Sequence, residues 1–136
     1  MSTSDSRSSY HPFRVAVGYL AVAAFTALFG LIYEHYGHEV ESVFMQLAFL
    51  IPLFAGPLPA CLLRLLGTRF YPGTGSRSVY RWSVSVFTLG SLLKGVFDIY
   101  GTASIFPYWY AIAGCVFAIV SVAIYMIERL LYSRAD

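Results

Sequence analysis

The sequence predicts an all-α fold: an antiparallel four-helix transmembrane bundle with both termini in the cytoplasm and a second helix kinked by prolines. Three observations predict this fold class. The 136 residues are 58% hydrophobic and only 12% charged, whereas soluble domains are about half apolar and a quarter charged. Four apolar stretches are each long enough to cross the hydrocarbon core of a bilayer. All eight arginines fall on one side of the membrane if the chain crosses it four times.

The four apolar stretches set the predicted boundaries. We predict transmembrane helices at residues 13–33, 43–66, 79–99 and 106–132. They are helices because backbone groups within lipid must be satisfied inside their own segment. Together they form one transmembrane domain over residues 13–132. Residues 1–12 are rich in serine and predict a flexible cytoplasmic tail, and residues 133–136 predict a second cytoplasmic tail.

The orientation follows from the basic residues, since the loops and ends in the cytoplasm carry an excess of positive charge. The arginines lie before the first helix, around the loop after the second helix and at the end of the fourth: Arg7, Arg14, Arg64, Arg69, Arg77, Arg81, Arg129 and Arg134. This distribution predicts a multi-pass protein of the plasma membrane with cytoplasmic termini. The loops at residues 34–42 and 100–105 then lie outside.

The net charge of the chain also limits which partners it is expected to bind. The net charge of +2 is too small to predict nucleic-acid binding. The expected partner is therefore the lipid bilayer, together with further copies of the chain or a larger membrane complex.

A polar cluster is predicted at the outer ends of the first and third helices. Small residues on one face of the first helix turn Glu34 toward the bundle. Lys94 lies four residues before Asp98 on the third helix, and ionisable groups within a membrane segment suggest function. We therefore predict that Glu34, His38, Lys94 and Asp98 form a cluster. It is either a structural ion pair between Lys94 and an acidic neighbour, or a site for a ligand or ion.

The same outer segment suggests a weaker alternative, a metal site. If the first helix continues, Glu34, His35 and His38 lie at helical spacings. Two imidazoles and a carboxylate suit a divalent metal such as zinc. The competing interpretation is that these are polar groups at the membrane surface. No cofactor is predicted, and a divalent metal is the alternative.

The middle of the second helix contains a dense group of helix-breaking residues. Pro52, Gly56, Pro57 and Pro59 remove backbone donors and predict a kinked or partly unwound helix. The carbonyls that lose their donors need partners from neighbouring helices or water. Broken helices line the substrate sites of some transporters, so a cavity that includes Gln46 is one hypothesis. A kink that only fits the bundle is the other.

Two further expectations concern small residues. Cys61 and Cys115 lie in apolar segments, and we expect both to be buried between helices without forming a disulfide. On the fourth helix, Gly114 and Ala118 form a small-residue contact, either within the chain or between two copies.

Several short motifs resemble those of a group of small four-helix integral membrane proteins from Gram-positive bacteria. The residues that carry the resemblance are Tyr33-Glu34-xxx-His38, Ser42, Met45, Ala48-Phe49-xx-Pro52-Leu53-xx-Gly56 and Ile99-Tyr100-Gly101-Thr102. The resemblance covers roughly residues 13–132. It implies four helices and a bacterial plasma-membrane location, and it implies no particular activity.

Three functions compete at this point. The leading hypothesis is a non-enzymatic accessory or interaction subunit with a polar cluster outside the cytoplasm. The second is an oligomeric transporter or channel element for a small ion or solute. The third is a metal-dependent membrane enzyme that uses Glu34, His35 and His38.

Overall fold

The computed structural model describes residues 10–37 and 42–135, and in these ranges all regular structure is helical. The helices are α1 (Pro12–Tyr36), α2 (Val43–Leu47), α3 (Leu50–Ala55), α4 (Pro57–Leu66), α5 (Thr74–Ile99) and α6 (Phe106–Ala135). A single 3-10 turn, Thr68–Phe70, follows α4. The short helices α2, α3 and α4 follow one another almost without interruption.

Four helical stretches are long and apolar enough to cross a membrane: Pro12–Tyr36, Val43–Leu66, Thr74–Ile99 and Phe106–Arg134. We call them the first to fourth spans. The second span consists of α2, α3 and α4, and the others are single helices. The prediction of an all-helical chain with four such spans is confirmed.

Several boundaries differ from the predicted ones: α1 ends at Tyr36 and not at residue 33, and α6 at Ala135 and not at residue 132. The third span begins at Thr74 and not at residue 79, because the backbone N–H of Gly73 donates to the Glu128 carboxylate (3.0 Å) and so caps the helix start. Tyr10, placed in the predicted tail, is only 6% exposed. Its ring packs edge-on against that of Tyr71, with 4.8 Å between centroids. Residues 1–9 lie outside the described part of the chain.

The breaks in the second span follow its prolines and glycine. Pro52 lies in the first turn of α3, and Pro57 and Pro59 lie in the first turn of α4. The missing N–H of proline is tolerated there, so the prolines start new helical segments. Gly56 joins α3 to α4 and is buried against Tyr19, because a Cβ on Gly56 would lie 2.1 Å from the Tyr19 side chain.

The spans pack in a consistent order. α5 and α6 share the most extensive contact, α1 packs on the second span, and α2 and α3 also pack on α5. Met45 of α2, 1% exposed, fills the contact between α1 and α5. A Cβ on Gly30 would lie 3.3 Å from the Met45 backbone oxygen, and one on Gly95 would lie 2.6 Å from Met45 Cβ. One glycine of α1 and one of α5 thus lie against the same residue, Met45.

Polar groups and a glycine join α5 to α6. The Ser76 hydroxyl donates to the Ser121 carbonyl (3.3 Å), and the Ser121 hydroxyl donates back to the Ser76 carbonyl (3.1 Å). Gly114 is buried against the Phe87 ring, so its contact is within the chain.

The expectation that both cysteines are buried is wrong, since Cys61 and Cys115 are exposed. Cys115 is exposed because Gly114 occupies the face of α6 that contacts α5, and successive helical positions point about 100° apart.

Candidate functional site

The end of the bundle that holds the C-terminus of α1, the start of α2 and the C-terminus of α5 carries most of the predicted site. We call this the acidic end. Lys94 and Asp98 lie one turn apart on α5, and the Lys94 ammonium forms an ion pair with Asp98 Oδ1. Their side chains are 29% and 31% exposed. The Lys94 Nζ also lies 5.3 Å from the centroid of the Phe44 ring, at a distance typical of a cation–π contact.

Two hydroxyls connect this ion pair to the start of the second span. Ser42 Oγ donates to Asp98 Oδ2 at 3.3 Å, although the two residues are 56 positions apart. Ser91 Oγ donates to the backbone carbonyl of Phe44 at 2.8 Å. Asp98 therefore accepts from two segments, and the start of α2 is held against α5.

Glu34 lies near the end of α1 but makes no ion pair with Lys94. The Oε1 atom of Glu34 is buried and has no hydrogen-bond partner within the described ranges. A buried carboxylate oxygen without a partner is costly, so this atom marks a place where a cation or a hydrogen-bond donor would be favourable. His38, the fourth predicted member of the cluster, lies outside the described residues.

Of the three predicted metal ligands, Glu34 and His35 lie in the described part of the chain. His35 is exposed, and its ring lies edge-on to that of Tyr36 with 5.6 Å between centroids. No group of three metal-binding side chains occurs in the part of the chain that the structure describes. The proposed ligand His38 falls in the undescribed stretch at residues 38–41, so the three-ligand site stays a prediction.

The break in the second span has a specific polar partner. Pro59 has no N–H to donate to the carbonyl of Ala55, four residues earlier. The Tyr80 hydroxyl of α5 donates to this carbonyl at 2.6 Å. Nearby, the Tyr19 hydroxyl is buried and finds no partner among the described residues. Gln46, which one hypothesis placed in a cavity at this break, is exposed.

The opposite end of the bundle holds contacts that the sequence analysis missed. We call it the basic end: residues 69–77 and the last turns of α6. Besides the capping contact of Glu128, Tyr125 Oη donates to the carbonyl of Phe70 (3.0 Å) and Arg129 donates to the carbonyl of Arg69 (2.8 Å). One signal was available, since Glu128 is an acidic residue at the arginine-rich end of an apolar helix.

The start of the first span also docks on the basic end. The Arg77 guanidinium lies 5.4 Å from the centroid of the Tyr10 ring. Burial raises the pKa of Tyr10, and the positive charge of Arg77 opposes this rise. Segments before α1, before α5 and at the end of α6 therefore meet at one end of the bundle.

The geometry thus provides two polar regions, an ion pair with hydroxyl partners at the acidic end and a fastened loop at the basic end. Both regions join helices that are far apart in the sequence. Comparison with known proteins adds no relative, because no protein-family model, no curated protein and no solved structure matches the chain.

Proposed function

We propose that this chain is a non-enzymatic accessory or interaction subunit of the bacterial plasma membrane. The observation that carries the proposal is the use of the polar side chains within the spans. Hydroxyls of the third span bond to backbone carbonyls of the second and fourth spans, as Tyr80, Ser83 and Ser91 do. A pathway or an active site needs polar groups that face a cavity, whereas these hydroxyls form hydrogen bonds between helices.

The proposal includes a topology in which successive spans run in opposite directions and both termini are cytoplasmic. It is supported by the contacts at the two ends. The start of α1 meets residues near the start of α5 at the basic end, where Tyr10 contacts Tyr71. The end of α1 meets the end of α5, where the Tyr33 and Tyr100 rings lie 6.4 Å apart. The excess of arginine favours the cytoplasm for the basic end.

Labelling of single cysteines tests this topology. The starting variant carries Cys61→Ser and Cys115→Ser, and one cysteine is then introduced at Ala103 or at Ser133, both exposed. A membrane-impermeant maleimide applied to intact cells should label Ala103→Cys, and should label Ser133→Cys only after the cells are opened. Labelling of both positions in intact cells would refute the proposed orientation.

The accessory role itself is tested by a search for stable association. The tagged chain is extracted in a mild neutral detergent and its complexes are weighed by native mass spectrometry. We expect a defined assembly with another membrane protein or with further copies of this chain. A strictly monomeric chain at concentrations near those in the membrane would contradict the accessory role.

Transport is the second candidate, and a specific observation favours it. The second span is broken near Gly56, and Glu34 Oε1 and Tyr19 Oη are buried without partners in the described ranges. Broken helices and unpaired polar groups occur at transport sites. Reconstituted vesicles should then show a cation flux that Glu34→Gln abolishes, while Glu128→Gln at the basic end leaves it intact. Vesicles that stay tight would remove this candidate.

A further inference from the structure

A shallow depression at the basic end combines positive charge with apolar surface. It is lined by Arg69, Met126, Arg129, Leu130, Tyr132 and Ser133, and its volume is about 270 Å³. Pockets for drug-sized ligands typically measure about 300–1,000 Å³. The depression is therefore suited to a compact polar group and not to a whole small-molecule substrate.

The positive charge in the depression is available to a ligand. Arg129 uses one nitrogen to donate to the Arg69 carbonyl and lays its guanidinium over the Phe70 ring, 4.4 Å from the centroid. A guanidinium carries five N–H donors, so Arg129 is held in place with donors to spare. The Arg69 guanidinium makes no hydrogen bond or ion pair with any other described residue. Two guanidinium groups therefore border one small space.

The nearest carboxylate on α6 is already engaged. Glu128 accepts from the Gly73 N–H at the start of α5 and does not line the depression. Among the residues that the structure describes, no carboxylate lines the depression, so an incoming anion would meet the two guanidinium groups there. Guanidinium groups bind phosphate oxygens through short, charge-assisted hydrogen bonds.

The apolar part of the depression points to a lipid as the source of the anion. Met126 and Leu130 lie one turn apart on α6, and both are exposed, at 59% and 64%. Both belong to the fourth span, which ends at Arg134. The depression therefore lies in the last turns of a candidate membrane span, where apolar side chains and a guanidinium group stand side by side on α6.

We propose that this depression binds the phosphate headgroup of an anionic phospholipid, with Arg69 and Arg129 on the phosphate and an acyl chain along Met126 and Leu130. Basic pockets at the ends of membrane helices bind anionic headgroups through this combination of charge and apolar surface. The site goes beyond the accessory role and requires only that the chain lies in a membrane.

The test measures the binding of single lipids to the full chain in neutral detergent by native mass spectrometry. Phosphatidylglycerol should bind one to one and about tenfold or more tightly than phosphatidylcholine. Arg69→Gln should lower phosphatidylglycerol affinity to the phosphatidylcholine level. Arg64→Gln removes the same charge from an exposed site outside the depression, and it should leave the affinity unchanged within about twofold. Equal binding of both lipids, or equal losses in the two variants, would overturn the proposal.

A second set of measurements separates a lipid from a free anion and does not depend on Arg69. Leu130→Ala alters an exposed apolar side chain and should weaken binding of long-chain phosphatidylglycerol about threefold or more, but not that of a dihexanoyl analogue. Inorganic phosphate at about 10 mM should not displace the long-chain lipid. Full displacement by phosphate, together with no effect of Leu130→Ala, would make this a free-phosphate site and refute the lipid assignment.

Discussion

The two ends of the bundle hold distant segments together by different means. At the acidic end a close steric contact, Met45 between two glycines, adds to the long-range hydroxyl bonds of Ser42 and Ser91. The ion pair of Lys94 and Asp98 is local to one helix. At the basic end the ties are hydrogen bonds, since Tyr125, Glu128 and Arg129 each bond to the backbone of the loop 55 to 60 residues earlier. The fourth span thereby fastens the loop that precedes the third.

This difference teaches how a short chain with few charges is held together. Close helix contact without large side chains suits the interior of a membrane bundle, where the hydrophobic effect between helices is weak. A loop at the end of the bundle has backbone groups that need partners, and charged side chains there satisfy them at little cost. Substitutions at the two ends should therefore fail for different reasons and by different amounts.

The largest effect is expected from Gly95→Val, which tests the steric tie. The new Cβ would lie 2.6 Å from Met45 Cβ and 3.1 Å from its backbone, so α2 and α5 must move apart. We expect a loss of about 3 kcal/mol in unfolding free energy, measured by reversible unfolding in mixed micelles followed by circular dichroism. The control is Gly18→Val, where a Cβ meets nothing within 4 Å. If both variants unfold alike, the close contact at Gly95 is not what holds the acidic end.

Lys94→Met tests how much the local ion pair contributes. It leaves Asp98 charged beside the bundle with Ser42 as its remaining partner. Breaking a fully buried pair costs about 3–5 kcal/mol, and we expect about 2 kcal/mol here because both side chains are nearly one-third exposed. Adding Asp98→Asn to Lys94→Met removes the unpaired charge and keeps an acceptor for Ser42. This second change should recover most of the loss, and no recovery would show that charge is not the cause.

Glu128→Ala tests the hydrogen bonds of the basic end. It removes the acceptor of the Gly73 N–H and the negative charge at the start of α5. We expect a loss of about 1–2 kcal/mol in unfolding free energy, within the usual range for helix caps. Glu128→Gln retains an oxygen acceptor and should lose less than half as much. A larger loss for the glutamine variant would mean that charge, and not the cap, dominates.

Tyr80→Phe is expected to have the smallest effect and tests the region between the two ends. It removes the hydroxyl that donates to the Ala55 carbonyl beside Pro59. The expected loss is about 1 kcal/mol, as for a single hydrogen bond. Tyr108→Phe removes an equivalent hydroxyl from a side chain that is 64% exposed, and it should change stability by less than about 0.3 kcal/mol. Equal effects would indicate that the break in the second span needs no partner from α5.

Much of this arrangement was readable from local patterns. The i, i+4 spacing brought Lys94 and Asp98 together because it repeats in every helix. The small residues of α1 marked a face for close packing, and Gly30 on α1 is in close contact with Met45. The prolines and Gly56 predicted an irregular second span, which the structure divides into three helices.

Other features depended on how the helices are turned against each other. A periodic pattern identifies a packing face but not the side chain that fills it, so Met45 was found only in the tertiary structure. The same reason explains why Gly114 is buried and the adjacent Cys115 is exposed. A rotation by one residue would exchange the two positions.

By itself, the sequence determined the helical class and the four spans, because hydropathy and helix length depend on composition over about 20 residues. It also placed Lys94 and Asp98 one turn apart, since helical geometry is local, and left the acidic partner of Lys94 open. The tertiary structure alone decided three long-range bonds. The Ser42 hydroxyl donates to Asp98, the Tyr80 hydroxyl donates to the Ala55 carbonyl at the break, and Glu128 accepts from the N–H at the start of α5. Each of these bonds links residues at least 25 positions apart, and such bonds form only after the packing of whole spans has set their relative rotation and height.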